Sequence, residues 1–547
     1  MTADSTPGRG RFEYAPAPES RAVVDLKPSY GLFIGGQFVE PTDGTTFKTV
    51  SPATEEVLAE VSAAGPSDVD LAVAAARRAY ERTWGPMPGR ERAKYLYRIA
   101  RIVQERAREL AVLESLDNGK PIRESRDVDI PLVAAYFFSY AGWADKLEHA
   151  GFGSNPQPLG VAGQVIPWNF PLLMLSWKIA PALAAGNTVV LKPAETTPLT
   201  ALLFAEICQQ ADLPPGVVNI ITGAGDTGRA LVEHPGVDKI AFTGSTEVGK
   251  QIARSVAGSR KKVTLELGGK AANIVLDDAP VDQAVEGIVN GIFFNQGHVC
   301  CAGSRLLVQE SIYDSLLDSL KRRLGTLRVG DPLDKNTDIG AINSAEQLER
   351  IRTLSDIGEA EGADRWSPPC DLPDRGFWFP PTVFTGVSQA HRIAREEIFG
   401  PMLSVLTFRT PAEAVEKANN TPYGLSAGVW TDKGFWFKPT VFTQVSPAHR
   451  IARDEVFGPV LSVMTFRTPD EAVAKANNTT YGLSAGIWTE KGSRILKIAN
   501  QLRAGVVWAN TFNKFDPTSP FGGYKQSGYG REGGRHGLTG YLKGAAQ

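Results

Sequence analysis

A chain of 547 residues, 42% apolar and 22% charged, is too long for one ordinary core and predicts two or three domains. A net charge of −2 offers no case for nucleic acid or an anionic membrane as partner, and no apolar run is long enough to span a bilayer. Four cysteines, Cys208, Cys300, Cys301 and Cys370, are too few for a disulfide framework and form no metal-binding cluster, so they read as reduced thiols of a cytoplasmic protein.

Residues 1–27 carry Pro, Gly and both signs of charge without an apolar stretch, and read as a disordered leader, not a secretory signal. Gly35-Gly36 and Asp43-Gly44 punctuate early hairpins. Val69 to Leu116 has apolar residues at helical spacing. Strands then alternate with helices: Val161–Ile166 extended, Met174–Ala185 helical, Asn187–Lys192 extended, Thr197–Ala211 helical, with further strands at Val217–Ile221 and Lys239–Thr243. The alternation predicts an α/β fold with a doubly wound, mostly parallel sheet, and its resumption after Cys300 predicts a second α/β domain.

The chain repeats itself once. Residues 376–433 recur without a gap as 434–491, and 46 of the 58 pairs are identical. A single tandem copy is an insertion, not a repeat architecture, because a stacked array needs at least about three units. Its strands, such as Pro381–Phe384 and Leu403–Phe408, exist twice for one place in a sheet.

The chemistry concentrates in a few segments. Cys300, among small residues in Gly297-His298-Val299-Cys300-Cys301, follows Glu266 by 34 positions. A thiol and a carboxylate suggest a nucleophile and a base able to activate water, a pair that can form and then hydrolyse a thioester. An inert apolar cysteine is the competing reading, and His298 reads either as an activator of Cys300 or as a polar loop residue. Gly223–Gly228 fits a GxGxxG dinucleotide pattern, and Phe242–Gly249 leaves a strand for a helix N-terminus that can receive a pyrophosphate or simply be capped by Ser245 or Thr246. In Pro167-Trp168-Asn169-Phe170-Pro171, a rigid loop presents an amide suited to an oxyanion.

Taken in order, Pro167–Pro171, Lys192–Glu195, Phe242–Gly249, Glu266–Lys270, Gly297–Cys300, Glu397–Pro401 (repeated as Glu455–Pro459) and Ser519–Gly523 resemble the NAD(P)-dependent aldehyde dehydrogenase superfamily. The resemblance runs from about Gly31 to Tyr541. It implies a Rossmann-type NAD-binding domain, a second α/β catalytic domain, and oxidation of an aldehyde to a carboxylic acid. Cys300 matches the nucleophile, with Asn169 holding the oxyanion. Collapse of the adduct passes hydride to NAD, and Glu266 activates the water that hydrolyses the thioester. Lys178 and Glu532 match positions that pass the proton outward. Glu266 also disfavours a CoA-acylating relative, which needs no such base. The resemblance places NAD against Ile166, Trp168, Lys192, Glu195, Gly225, Gly244, Ser245 and Gly268. The ribose on the nicotinamide side falls to Glu397 with Phe399, or to Glu455 with Phe457. Glu195 favours NAD over NADP, since a carboxylate accepts from ribose hydroxyls and repels a 2′-phosphate. The Gly223–Gly228 match becomes an adenine-side turn. Phe170, Trp177, Phe515 and Phe521 match the substrate tunnel, and aromatic walls favour an apolar aldehyde.

The implied division is an NAD-binding domain of 28–146 and 161–265, a short oligomerisation segment at 147–160, a catalytic domain of 266–510, and a C-terminal segment of 511–547. The family's oligomerisation arm is trimmed at 147–160 and after Tyr541, which points to a homodimer. Removing one repeat from 547 residues leaves 489, enough for the whole fold. Copy two runs directly into the following helix and strand, which tips the expectation towards Glu455, although a hybrid of the two copies is the alternative. The doubled segment also raises a rival reading, a catalytically impaired relative kept for an interaction role.

Overall fold

The computed structural model describes residues 15–150, 156–431, 484–487, 506–509, 516–520, 528–529 and 532–543. Its largest sheet has eight strands. Five of them are parallel and lie in the spatial order Lys262–Glu266, Lys239–Thr243, Val161–Val165, Thr188–Lys192, Val218–Ile220. Chain order starts in the middle, at Val161–Val165, moves outward on one side, then returns to the other. The reversal point therefore lies between Val161–Val165 and Lys239–Thr243. A doubly wound sheet opens its ligand crevice there, outside the carboxyl ends of the strands.

Continuous apolar runs make these strands, since both faces are covered and alternation is not required. The covering helix Pro171–Ala184 is buried along its whole length. Pro171 opens it at a position where the missing N–H costs nothing. It packs against Ile130–Trp143, which continues the helices Gly89–Glu105 and Ala107–Asn118 of the predicted helical stretch. Leu32–Ile34 and Gln37–Val39 form the expected hairpin around Gly35-Gly36, at φ of +63° and +85°. Asp43-Gly44 is a turn but not a hairpin. The strand beyond it, Thr46–Val50, pairs with Val57–Ser62 in a separate sheet, so the turn connects two sheets.

A second, six-stranded sheet has the order Asp364–Trp366, Thr382–Thr385, Met402–Phe408, Arg305–Gln309, Ala272–Val275, Ala427–Trp430. All its pairs are parallel except the first. Copy one of the repeat supplies three of these six strands. The preference for copy two is thus not met on this side of the repeat. Asp364–Trp366 pairs antiparallel with Thr382–Thr385 across a short connection, whereas the copy-two counterpart lies 58 residues further on. The longer loop costs roughly 1 kcal/mol more to close. On the other side Ser484–Ile487, the counterpart of Ser426–Val429, pairs in parallel with Val506–Ala509. Copy one thus places all three of its strands in the six-stranded sheet, while Ser484–Ile487 and Val506–Ala509 form a separate two-stranded sheet. In the expected arm region, Gln157–Pro158 forms a two-residue antiparallel pair with Leu542–Lys543.

Candidate active site

A cavity of about 480 Å³ lies at the reversal point. Its walls are the segments that leave the parallel strands: Pro167–Phe170, Glu195 with Thr196, Thr243–Ser245, and Glu266–Gly268. Val299, Cys300, Glu397 and Phe399 close it from the second sheet's side. Strand order thus gathers residues that are far apart in the chain.

Cys300 is half-buried at the end of an irregular turn. Asn295, Gln296 and Gly297 take left-handed φ of 49°, 53° and 74° in succession. Only glycine fits at 297, where a Cβ would stand 2.2 Å from the Gly400 carbonyl oxygen. The two non-glycine residues are strained, and hydrogen bonds hold them. Asn295 N–H donates to Glu124 Oε2 at 2.9 Å, Asn295 Nδ2 to the Asn169 carbonyl at 2.7 Å, and Gln296 Nε2 to the Ala341 carbonyl at 3.0 Å. Asn169 Nδ2 returns a bond of 2.8 Å to the His298 carbonyl. Its second amide hydrogen is left to serve the cavity that the residue lines. The Cys301 thiol, hydrogen-bonded to Cys300, together with burial, pushes the Cys300 thiol well above its ordinary range. His298 is not the activator of Cys300. Its ring packs edge-on to Trp168 at 4.8 Å and stacks on Phe399 at 5.8 Å, and burial followed by the charge of Lys120 lowers its pKa to about 3.

Glu266 ends its strand with its side chain buried in the cavity wall. Glu397 is held by the N–H of Gly269, at 2.9 Å from Oε1. A Cβ on Gly268 would lie 2.1 Å from Glu397 Oε2, and one on Gly269 would lie 2.3 Å from the Cys300 carbonyl oxygen. The glycine pair therefore lets the carboxylate and the cysteine loop approach the strand end from two sides. Burial raises Glu397 to about 7, against the Gly269 N–H. Phe399, at φ 59°, meets Trp168 edge-on at 5.3 Å.

Ser245 lines the cavity and also caps the helix Thr246–Ser255, accepting from Val248 N–H at 3.3 Å. Both readings of that segment hold together, and the helix N-terminus faces the space where an anion is favoured. Lys192 reaches Glu195 at 3.1 Å, leaving an exposed carboxylate beside the cavity. The groups present fit a dinucleotide: small residues at a helix start, a carboxylate on each side, and aromatic faces between them.

Deeper in, Lys178 Nζ bonds Glu532 Oε1 at 2.5 Å and Thr243 Oγ1 at 2.7 Å. Glu532 and Thr243 both line the cavity. Phe170 and Trp177 stand with Leu132, Leu173, Met174 and Phe294 on the apolar side. Ile166, Lys192 and Gly225 do not form the cavity wall. Ile166 and Lys192 are buried beneath it, joined by an N–H···O bond of 3.1 Å, and Gly225 opens the helix Gly225–Glu233. Phe515, Phe521, Glu455 and Phe457 lie outside the described residues.

Comparison with known proteins agrees with this arrangement. The aldehyde dehydrogenase family model matches residues 38–434 and, separately, 431–545. The chain belongs to the aldehyde dehydrogenase family. The seam between the two matches falls at the repeat boundary, as a duplicated segment requires. An aldehyde dehydrogenase of Alternaria alternata is 41% identical over 98% of this chain and 96% of its own length. The mitochondrial benzaldehyde dehydrogenase of Antirrhinum majus is 41% identical over 98% and 92%. The NAD+ complex of a Bacillus cereus aldehyde dehydrogenase superposes with a TM-score of 0.78 at 38% identity, covering 95% of this chain and 98% of that one. The expectation of an NAD-using oxidoreductase, with the active enzyme favoured over the impaired relative, stands with these findings.

One part of this aldehyde dehydrogenase's site escaped the sequence reading. Glu114, Lys120, Glu124 and Asp129 are all buried behind the 168–170 loop. Lys120 pairs with Asp129 and lies 4.1 Å from the centre of the Phe170 ring. Burial raises both Glu114 and Glu124 to about 8. Asn118 Nδ2 donates to the Trp168 carbonyl at 2.5 Å. The available signal was Asn118-Gly119-Lys120-Pro121, a turn sequence that ends a helix unusually rich in buried positions.

Proposed function

We propose that the chain oxidises an aldehyde to the free carboxylic acid with NAD+, with Cys300 as nucleophile, Asn169 as oxyanion donor and Glu266 as the base for hydrolysis. The observation that carries this is the convergence of Cys300, Asn169, Glu266 and Glu397 on one cavity at the reversal point of a parallel sheet. Bound NAD supplies the hydride acceptor. Glu195, bonded by Lys192, would hold its adenosine ribose, Trp168, Gly244 and Ser245 its pyrophosphate, and Glu397 with Phe399 its second ribose. Cys300 attacks the aldehyde carbon as its thiolate, a minor form given the raised pKa of the thiol, after losing its proton to solvent. Asn169 Nδ2–H and the Cys300 N–H stabilise the oxygen as it gains charge. Glu266 takes a proton from water, whose oxygen attacks the thioester carbonyl, and the adduct releases the acid and the Cys300 thiolate. Lys178 and Glu532 then carry that proton away from the cavity.

Phe170 and Trp177 give the tunnel an aromatic wall, which suits an apolar or ring-bearing aldehyde. The proposed domain division at 265/266 falls at the last residue of the strand Lys262–Glu266, just before the chain enters the second sheet at Ala272–Val275. A homodimer is the proposed assembly, from the short 147–160 segment. A cytoplasmic location is supported by four free cysteines, and no helix among the described residues is long and apolar enough to cross a membrane. The deciding assay is NADH formation from a panel of aldehydes, with and without CoA. Acid and NADH in equal amounts without CoA support the reading, and acyl-CoA as the required product overturns it. Light scattering checks the dimer.

A further inference from the structure

The geometry points to Glu124 and Asn295 as positioning residues that hold the oxyanion donor Asn169 against the nucleophile loop. This inference rests on the role proposed for Asn169.

Asn295 is the hub of a closed set of hydrogen bonds. Its N–H donates to Glu124 Oε2 at 2.9 Å. Its carbonyl accepts from the His298 N–H at 2.8 Å. Its Nδ2 donates to the Asn169 carbonyl at 2.7 Å, and Asn169 Nδ2 donates to the His298 carbonyl at 2.8 Å. Asn295 is fully buried and sits at φ 49°, a conformation that a non-glycine residue holds only when its surroundings over-determine it. Glu124 provides that determination from a different part of the chain, at the end of the short helix Ile122–Glu124. Remove its acceptor and a buried N–H is left unpaired on a strained residue. The turn is then free to relax, and the Asn169 carbonyl loses its fixed partner. The amide that must meet the developing oxyanion shifts by a fraction of an ångström. Neither Glu124 nor Asn295 is in the cavity wall, so the effect is on orientation and not on substrate contact.

Steady-state kinetics on the full chain tests this, with active sites counted by Cys300 alkylation. Glu124→Ala is expected to lower kcat roughly tenfold or more at an unchanged aldehyde KM, since small misplacements of catalytic groups carry costs of this order. Glu124→Gln keeps an oxygen acceptor and is expected to restore kcat. Adding Glu124→Ala to Asn169→Ala should lower kcat no further than Asn169→Ala alone, because the two act through one group. Asn295→Gly tolerates the positive φ, loses the Nδ2 donor, and should reproduce the Glu124→Ala loss even if Glu124→Ala itself fails to fold. A folded Glu124→Ala or Asn295→Gly protein with wild-type kcat per active site overturns the proposal, as does a multiplied loss in the double variant. An Asn169→Ala enzyme with wild-type kcat overturns this inference and the role of Asn169 together.

Discussion

Asn169 Nδ2 lies 2.8 Å from the carbonyl oxygen of His298, so a loop leaving the nucleotide-binding sheet is bonded directly to the loop that carries Cys300. Two segments 129 residues apart in sequence are thereby set at a fixed distance. Replacing Asn169 by Ala removes both this tie and the proposed oxyanion donor. Loss of one such donor costs about 10²–10³ in kcat. The expected outcome is a fall of that size with a much smaller change in NAD affinity, read from steady-state rates and from NAD titration of the tryptophan fluorescence.

In the proposed mechanism Glu266 and Cys300 act in different half-reactions. Cys300→Ala should abolish turnover. Glu266→Gln should still give a burst of about one NADH per active site, followed by a steady state slowed about 10²-fold or more, the usual worth of a general base. Stopped-flow absorbance at the NADH band separates the phases. A Glu266→Gln enzyme with neither burst nor turnover would show that the carboxylate is needed before the thioester forms.

The repeat makes a sharp comparison between two equivalent glutamates. Glu397 is held by the Gly269 N–H in the cavity wall, and Gly268 leaves no room for a side chain against it. Glu397→Gln and Gly268→Ala should each raise the NAD KM about tenfold or more, the scale of losing a charged acceptor. Glu455→Gln should leave it unchanged. Deleting 434–491 joins Lys433 directly to the segment leading to Val506–Ala509, and Ala427–Trp430 then offers that strand the sequence Ser484–Ile487 now provides. The deletion variant is expected to stay soluble and active. Equal sensitivity of both glutamates would mean that the two copies exchange in the site.

Glu397 also sets a pH dependence. Burial raises it to about 7, so the protonated form dominates below neutrality and the carboxylate above it. In the role proposed for Glu397, the carboxylate accepts from both ribose hydroxyls and the protonated acid gives up one of those acceptors. NAD affinity should therefore rise with pH, by up to about tenfold between pH 6 and 8 if only the ionised form binds. Glu397→Gln should flatten that profile. The check is NAD binding by calorimetry at three pH values, with a flat wild-type profile as the contrary result.

The strand and helix order was legible because apolar runs and turn residues mark each βα unit locally, and Lys239–Thr243 matches the sequence reading to the residue. The parallel pairing followed from the alternation. The site motifs were legible for the same reason: Pro167–Phe170, Thr243–Ser245 and Glu266–Gly268 all sit at strand ends, where chain topology fixes their position. Long-range competition was not legible. Both copies carry the same strands, and only the short connection from Asp364–Trp366 shows why copy one pairs there. The Glu114–Lys120–Glu124–Asp129 cluster was missed because charged residues ordinarily face solvent, and the turn at Asn118–Pro121 marks a helix end without showing that the charges around it are buried.

That cluster predicts a dependence of stability on pH. Glu114 is fully buried, and desolvation raises its folded-state pKa to about 8, against the lowering effect of Lys120. In the unfolded chain the same carboxyl titrates near ~4.3. Between these values the folded state binds the extra proton, so stability falls as pH rises. The contribution is fully present below the unfolded pKa and is lost as pH passes through about 8. Glu114→Gln keeps the shape and cannot ionise. Its melting temperature should match or slightly trail wild type at pH 5.5 and exceed it at pH 9, by roughly 1–3 °C for a chain of this size. Scanning calorimetry at the two pH values decides it. A variant less stable than wild type at pH 9 would show instead that Glu114 is ionised there and works as a counter-charge to Lys120.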